Sequence, residues 1–419
     1  MGDTSGTPRI TRRAVLGAMG AFGAVAGAGL ASQVARAGGS DATDADDVVP
    51  FLGRHQAGIA TPSQARLEIA AFDVTTDDVG EVRALMQEWS DAAALLCAGR
   101  PVGTIEGEPL APPKDTGEAF DLAASRLTIT FGFGPTLFER EGVDRFGLAA
   151  RRPSALAELP AFAADELDLG ISDGDLVVQA CADDPQVAFH AIRNLARIAR
   201  GTAAIRWSQL GFSRTSSSGH SVPTPRNLMG FKDGTNNLDT GDPDAMSEHL
   251  WVGDGDVPWM HDGSYMVTRR IRMLIEFWDR TSISEQEATI GRHKESGAPL
   301  GGHHEFDAVP LGDRGSDGML VIPADGHIRL SAPAANSGAM LLRRGYSFTD
   351  GIDPVTGELD AGLFFICFQR DPREQFVPIQ RLLAENDALN EYIKHVGSGV
   401  FAIPPGIEAG GYVGEGLLG

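Results

Sequence analysis

Leu176-Val-Val-Gln-Ala-Cys181 leads into Asp184-Pro185 and then Phe189. Leu363-Phe-Phe-Ile-Cys367 leads into Asp371-Pro372 and then Phe376. Each reads as a buried strand followed by a helix that Asp caps and Pro opens. The Cys-to-Asp spacing differs by one residue, so the two stretches mark a duplication rather than an exact copy. Around the first lie a strand at Arg66–Val74, a helix capped by Asp77 or Asp78 and running to about Cys97, and a strand at Leu127–Phe133. Asp175–Ala182 follows as a strand, Pro185–Arg200 as an amphipathic helix and Ala203–Gly211 as a strand. The order β-α-β-β-α-β is the ferredoxin-like motif. The second stretch sits in a similar series: strand Tyr265–Phe277, helix Ser284–Lys294, strands Met340–Phe348 and Gly362–Gln369, helix Pro372–Tyr392 and strand Val400–Ile403. The expected fold class is α+β, with tandem ferredoxin-like domains built on two antiparallel sheets with helices.

The domain boundaries follow from composition. Residues 1–37 read as an address: Thr11-Arg12-Arg13-Ala14, a Gly/Ala-rich apolar run to Ala31, then Ala35-Arg36-Ala37. Paired arginines before a weakly apolar run resemble a twin-arginine signal. Residues 38–62 read as a mobile lead-in, 63–213 as the N-terminal domain and 214–225 as a Ser/Gly/Pro-rich linker. Residues 226–405 read as the C-terminal domain and 406–419 as a Gly-rich tail, disordered or a docking tag. The 419 residues carry a formal charge of −22, which disfavours nucleic acid and anionic membranes as partners. Loss of residues 1–37 removes four arginines and one acid, so the remaining chain is more acidic still. Its 3 cysteines, Cys97, Cys181 and Cys367, lie in apolar surroundings and read as buried thiols, too few for a disulfide framework.

Three stretches of the second half carry chemistry. Arg226-Asn-Leu-Met-Gly230-Phe-Lys-Asp233-Gly234-Thr235-Asn236-Asn237 is a glycine-punctuated turn presenting a carboxylate, a hydroxyl and amides. Asp325-Gly-His327-Ile-Arg329-Leu places one histidine after a turn. Met340-Leu-Leu-Arg343-Arg344-Gly-Tyr-Ser-Phe348 puts paired arginines in an apolar strand, so one of them points inward and needs an anionic or polar partner. The chain has no Cys-x-x-Cys-His for covalent haem, no zinc-ligand cluster and no dinucleotide-binding glycine motif.

Gly230-Phe-Lys-Asp-Gly-Thr235, His327-Ile-Arg-Leu330 and Leu342-Arg-Arg-Gly-Tyr-Ser347 resemble the dye-decolorising peroxidase family, in its exported bacterial branch that includes deferrochelatases. His55-Gln-Ala-Gly-Ile59, Gly132-Phe-Gly-Pro-Thr136 and Ile290-Gly-Arg-His-Lys294 through Leu300 extend the likeness over about residues 50–405. The resemblance implies haem b as cofactor, held mainly by the C-terminal domain. His327 is then the axial ligand of the haem iron. Asp233 is the acid–base residue and Arg343 the distal arginine, with Arg344 facing away. Gly234, Thr235 and Asn236 lie against the haem edge, Asn237 holds distal water, and Glu391 backs His327. Relatives often read Asn-Pro-Arg where this chain has Ala332-Pro333-Ala334, so a propionate-binding arginine is missing, for which Arg329 or Arg292 substitutes.

The function so implied is peroxide-dependent oxidation of dyes, phenolics or other small one-electron donors. The alternatives are release of iron from haem (deferrochelatase) and a non-catalytic exported haem carrier. The implied partners are hydrogen peroxide, electron donors and the twin-arginine translocase, with no stable membrane insertion. A homodimer or higher homo-oligomer is compatible with the sequence, and the implied location is the periplasm or the cell exterior. Trp251, Trp259, Trp278, Tyr265 and Tyr346 read either as core aromatics or as an electron relay.

Overall fold

The computed structural model describes residues 47–163, 165–213, 224–255 and 257–419. The address segment 1–37 lies outside these residues, as does most of the expected linker. Nine strands are described: β1 Arg66–Val74, β2 Thr128–Phe133, β3 Leu176–Ala182, β4 Ala203–Phe212, β5 Ser264–Met273, β6 Leu342–Arg343, β7 Tyr346–Ile352, β8 Leu359–Gln369 and β9 Ile393–Ile403. They run in the order β5-β9-β2-β3-β1-β4-β7-β8-β6, and β5 also pairs β8, which closes the sheet on itself. The closure has two thin seams, Phe133 opposite Ala402 and Phe212 opposite Ser347. Between the seams lie two antiparallel ferredoxin-like sheets, β2-β3-β1-β4 and β9-β5-β8-β7.

Strand alternation divides the core. On β1, Leu67, Ile69 and Ala71 fill the space between the sheets with Val177, Phe364, Ile366, Phe368 and Phe401. Ala70, Phe72 and Val74 face the other way, toward helices Val79–Cys97 and Pro185–Ile198. Asp78 and Asp184 cap these two helices, each accepting backbone N–H bonds in the first turn. Asp175, fully buried, takes the Val74 N–H and the guanidinium groups of Arg140 and Arg145.

The repeat is real at the level of strands: β3 and β8 are both central and both precede a helix. Its cysteines are not equivalent, however. Cys181 points between the sheets and Cys367 toward the helices. The one-residue spacing difference accounts for this, because a slip of one flips a strand's faces. All three cysteines are free and buried, and burial pushes the Cys97 thiol up to about 12.

Several elements depart from the sequence reading. The strand expected to reach Phe277 ends at Met273, and a short helix Ile275–Trp278 follows. The helix expected to reach Lys294 stops at Ile290, because Gly291 turns left-handed at φ 90°. The helix expected over Pro372–Tyr392 runs only from Phe376 to Asn386, after which Asp387 is extended and caps a separate turn. The described part of the lead-in is docked. Gln56, 3 % exposed, bonds the Phe131 backbone at both ends of its amide and also the Pro404 carbonyl, spanning the seam between β2 and β9. The Gly-rich tail is docked too. Leu417 and Leu418 are buried, and Arg83 and Arg151 hold the tail's carbonyls. No described helix is long and apolar enough to cross a membrane.

Candidate active site

On the helix side of the second sheet is a cavity of about 240 Å³. Met229, Phe231, Ile271, Met273, Ile290 and Ile393 give it an apolar wall. Asp233, Gly234, Thr235, Asn236, His327 and Arg343 line it together, although they come from three separate stretches of chain. Gly326 caps the short helix His327–Leu330 and sets the imidazole at its start. His327 Nδ1 donates to Asp387 Oδ2 at 2.6 Å, which leaves Nε2 for the cavity. Burial works against a charged imidazole, but the charge and hydrogen bond of Asp387 outweigh it and raise the His327 pKa.

Asp233 lies on the glycine-punctuated turn. Its N–H donates to the Pro225 carbonyl at 2.8 Å, and Gly230 and Gly234 take φ of 86° and 118°. Glu305 clamps this turn from outside, accepting from Thr224, Lys232 and Thr235. Burial opposes the Glu305 charge, but these donors hold its carboxyl below the ordinary range. Arg343 Nη1 stands 3.3 Å from Asp233 Oδ1.

Arg343 reaches the cavity by alternation. The run Leu342–Phe348 keeps one register along β8, broken only at Arg344 and Gly345. Arg343 therefore faces the cavity and Arg344 the opposite side. In a closed sheet that opposite side is not solvent. Arg344 is 3 % exposed and donates to the Thr61 carbonyl and to Gln64 Oε1. A neighbouring polar cavity of about 320 Å³ shares Asp233 and Arg343, so the pair stands between two cavities.

Two expected roles move, and a third residue gains a further partner. Glu391 is exposed, and Asp387 is the carboxylate on His327, because the helix ends before Asp387 and turns it inward. Asn237 spends one amide N–H and one Oδ1 lone pair on the Arg343 backbone and keeps one of each. Its Nδ2 donates to the Arg343 carbonyl at 2.8 Å and its Oδ1 accepts the Arg343 N–H at 2.8 Å. Arg329 does not line the cavity and donates to the Ile322 and Pro323 carbonyls, whereas Arg292 does line it. Sequence reasoning missed Asp387 and Glu305. The break at Asn386-Asp387, a cap residue inside a helical pattern, was the available signal for the first. Deeper in the cavity Arg269 pairs with Asp165, and burial with Arg269's charge holds His395 down to about 3, hence neutral. Of the five aromatics, Trp259, Trp278, Tyr265 and Tyr346 are buried packing residues, and Trp251 stacks on His55 at 3.7 Å.

The residues suit a haem. One imidazole with an anionic partner shares an apolar-walled cavity with an acid and a guanidinium, and the charges of both act on the imidazole. Residues 56–213 match the N-terminal part of the Dyp-type peroxidase family, and residues 224–408 the C-terminal part. The chain is 38% identical over 428 residues to the deferrochelatase of Escherichia coli strain K12, covering 99% of each protein. It is 44% identical to DtpA from Streptomyces lividans, solved as an oxyferrous complex, with a TM-score of 0.81 over 89% of this chain and 98% of that one. A DyP-type peroxidase from Cellulomonas bogoriensis superposes with a TM-score of 0.80 at 41% identity, over 88% of this chain and 98% of that one. Two family domains in tandem, full-length relatives and a cavity with this donor set agree: the chain belongs to the Dyp-type peroxidase family, whose members are haem-dependent enzymes acting with peroxide.

Proposed function

We propose that the cavity holds haem b with His327 Nε2 on its iron, and that the chain reduces hydrogen peroxide at the expense of small one-electron donors. The observation that carries the reading is the Asp233–Arg343 pair at 3.3 Å in the cavity that His327 also lines. When bound, the haem supplies the electron-transfer chemistry that no side chain here can. The protein's part is proton movement and charge. Asp233 takes a proton from one peroxide oxygen and delivers it to the other as the O–O bond breaks. Arg343 stabilises the negative charge that develops on the departing oxygen. Asn237 fixes the Arg343 backbone, and Asp387 fixes the imidazole and raises its donor strength. Two donors each give up one electron and one proton, so that one hydrogen peroxide becomes two waters. The polar neighbouring cavity offers peroxide a route to Asp233.

The test is the absorption spectrum of the purified protein before and after peroxide, with a dye present. A Soret band that changes with peroxide and bleaching of the dye are expected. His327→Ala should lose the band or the turnover, and wild-type loading and turnover in that variant would remove His327 from the role.

A second reading has support in the full-length likeness to deferrochelatase. It uses the same cavity with haem as substrate, releasing iron and intact protoporphyrin. Product analysis separates the two: free protoporphyrin supports iron release, oxidised donor supports peroxidase. A non-catalytic carrier has no use for an acid–guanidinium pair at the cavity. The Arg12-Arg13 segment supports export of the chain by the twin-arginine route to the periplasm or beyond. Blocking that translocase should leave a reporter fused to residues 1–40 in the cytoplasm.

A further inference from the structure

The Glu305 carboxylate gathers three donors from the stretch that bears Asp233. Its Oε1 accepts from the Thr224 and Thr235 hydroxyls, and its Oε2 from the Lys232 ammonium. The loop that carries Glu305 is itself pinned. The Glu305 carbonyl accepts from Arg292 Nη1 at 3.0 Å, and Asp307 Oδ2 takes the N–H groups of His303 and His304 at 2.7 and 2.8 Å. The lysine is seated as well. Gly297, at φ 79°, leaves room for its stem, since a Cβ there would stand 2.6 Å from Lys232 Cδ.

The two oxygens answer different needs: Oε1 holds the shape of the turn, and Oε2 balances a charge. Lys232 adjoins Asp233 in the chain, and both line the cavity. Among the described residues, Glu305 is the carboxylate within 4.0 Å of the Lys232 ammonium. The two side chains are only 17 % and 10 % exposed, so water screens them poorly. Without Glu305 the ammonium would act on Asp233 beside Arg343. At an effective dielectric near 20, a bare unit charge about 10 Å away favours the ionised carboxyl by about one pH unit.

The other charges around Asp233 are engaged elsewhere or fixed. Arg343 stands at 3.3 Å, His327 bonds Asp387, and Arg269 pairs with Asp165 beside a neutral His395. Arg226 and Arg292 donate to carbonyls, Arg344 to Thr61 and Gln64, and Asp239 takes the Gly241 N–H.

We infer that Glu305 is a positioning residue for the proton transfer: it holds the Lys232 ammonium in a neutral pair, so that Asp233 answers to Arg343 and not to Lys232. The inference deepens the peroxide reading above and rests on it.

The test is a charge cycle. Glu305→Gln keeps an oxygen for both threonines and removes the counter-charge of Lys232, whereas Lys232→Met leaves the Glu305 charge bare. The first readout is the acid limb of the peroxide rate constant, by stopped flow on the holoprotein. The second is the ¹³C carboxyl titration of Asp233 in the haem-free full chain, identified by its loss in Asp233→Asn. Glu305→Gln should move both midpoints down by at least about 0.5 in pH, and Lys232→Met should move both up by a similar amount. The double variant should return to the wild-type midpoint. A weakened fold lowers rates but does not give opposite displacements that cancel. Midpoints that stay in place, or that move the same way in both single variants, overturn the inference and leave the peroxide reading standing. If Glu305→Gln does not fold, Lys232→Met decides by the same sign. A wild type that does not react with peroxide removes the peroxide reading, and this role in proton transfer with it.

Discussion

His327 and Asp387 are 60 residues apart in sequence and 2.6 Å apart in space, with Nδ1–H donating to a carboxylate only 3 % exposed. Asp387 uses its other oxygen on the Leu389 N–H, so the acid is held from both sides. A fixed, anionic partner makes the imidazole a stronger donor through Nε2.

Asp387→Asn should therefore raise the reduction potential of the bound haem and weaken its retention by roughly 10–100-fold. Glu391→Gln should do neither. Spectroelectrochemical titration and transfer to apomyoglobin read both outcomes.

Asp233→Asn and Arg343→Leu should keep haem yet slow its reaction with peroxide. The loss of the acid–base group is expected to cost roughly 10²–10⁴-fold in the second-order rate constant. Stopped-flow absorbance at the Soret band measures it. Parent-like rates in Asp233→Asn would take the proton-transfer role away from that residue.

Asn237→Ala tests positioning without touching the charged pair. It removes two hydrogen bonds to the Arg343 backbone, each worth about 1 kcal/mol. Haem content should be unchanged, and the peroxide reaction should slow roughly ten- to thirtyfold. Unlike Arg343→Leu, its rate should respond to viscosity and temperature as a loosened site does.

Glu68, on β1, is 5 % exposed, and burial lifts its carboxyl from 4.5 to about 7. Between those values the folded protein binds more protons than the unfolded chain, so this group's stability contribution falls as pH rises through the window. The whole window is worth roughly 3 kcal/mol. Glu68→Gln should match the parent near pH 4 and exceed its stability near pH 8. Denaturant melts at the two pH values give the difference, and equal values at both would show Glu68 is not the group.

Asp175→Asn keeps the shape of the side chain and its bond to Val74 but leaves Arg140 and Arg145 without their buried counter-charge. About 3 kcal/mol of destabilisation is expected, read as a lowered Tm, with the spectrum of any bound haem unaltered.

Much of the strand pattern was legible because it is written in local alternation and caps. Arg66–Val74 is a strand residue for residue, and Asp78 and Asp184 cap the helices expected of them. The split between Arg343 and Arg344 was legible for the same reason. What lies on either side of them was not, because a strand's pattern says which residues share a face and not what covers it. The same limit explains the lead-in and the tail. Both are rich in glycine and look loose in sequence, yet Gln56, Leu417 and Leu418 find buried partners far along the chain.

The sequence by itself determined the duplicated ferredoxin-like order, the turn that bears Asp233, and the isolated histidine at 327, all set by contacts within a few residues. Tertiary structure decided which carboxylate backs that histidine, that Asn237 holds the Arg343 backbone, and that Arg292 rather than Arg329 meets the cavity. Those choices depend on where a helix stops and how a closed sheet brings distant segments face to face. At Gly291 (φ 90°) and Asp387 (ψ 122°) the backbone swings more than about 100° away from helical values, and only the packed chain sets those swings.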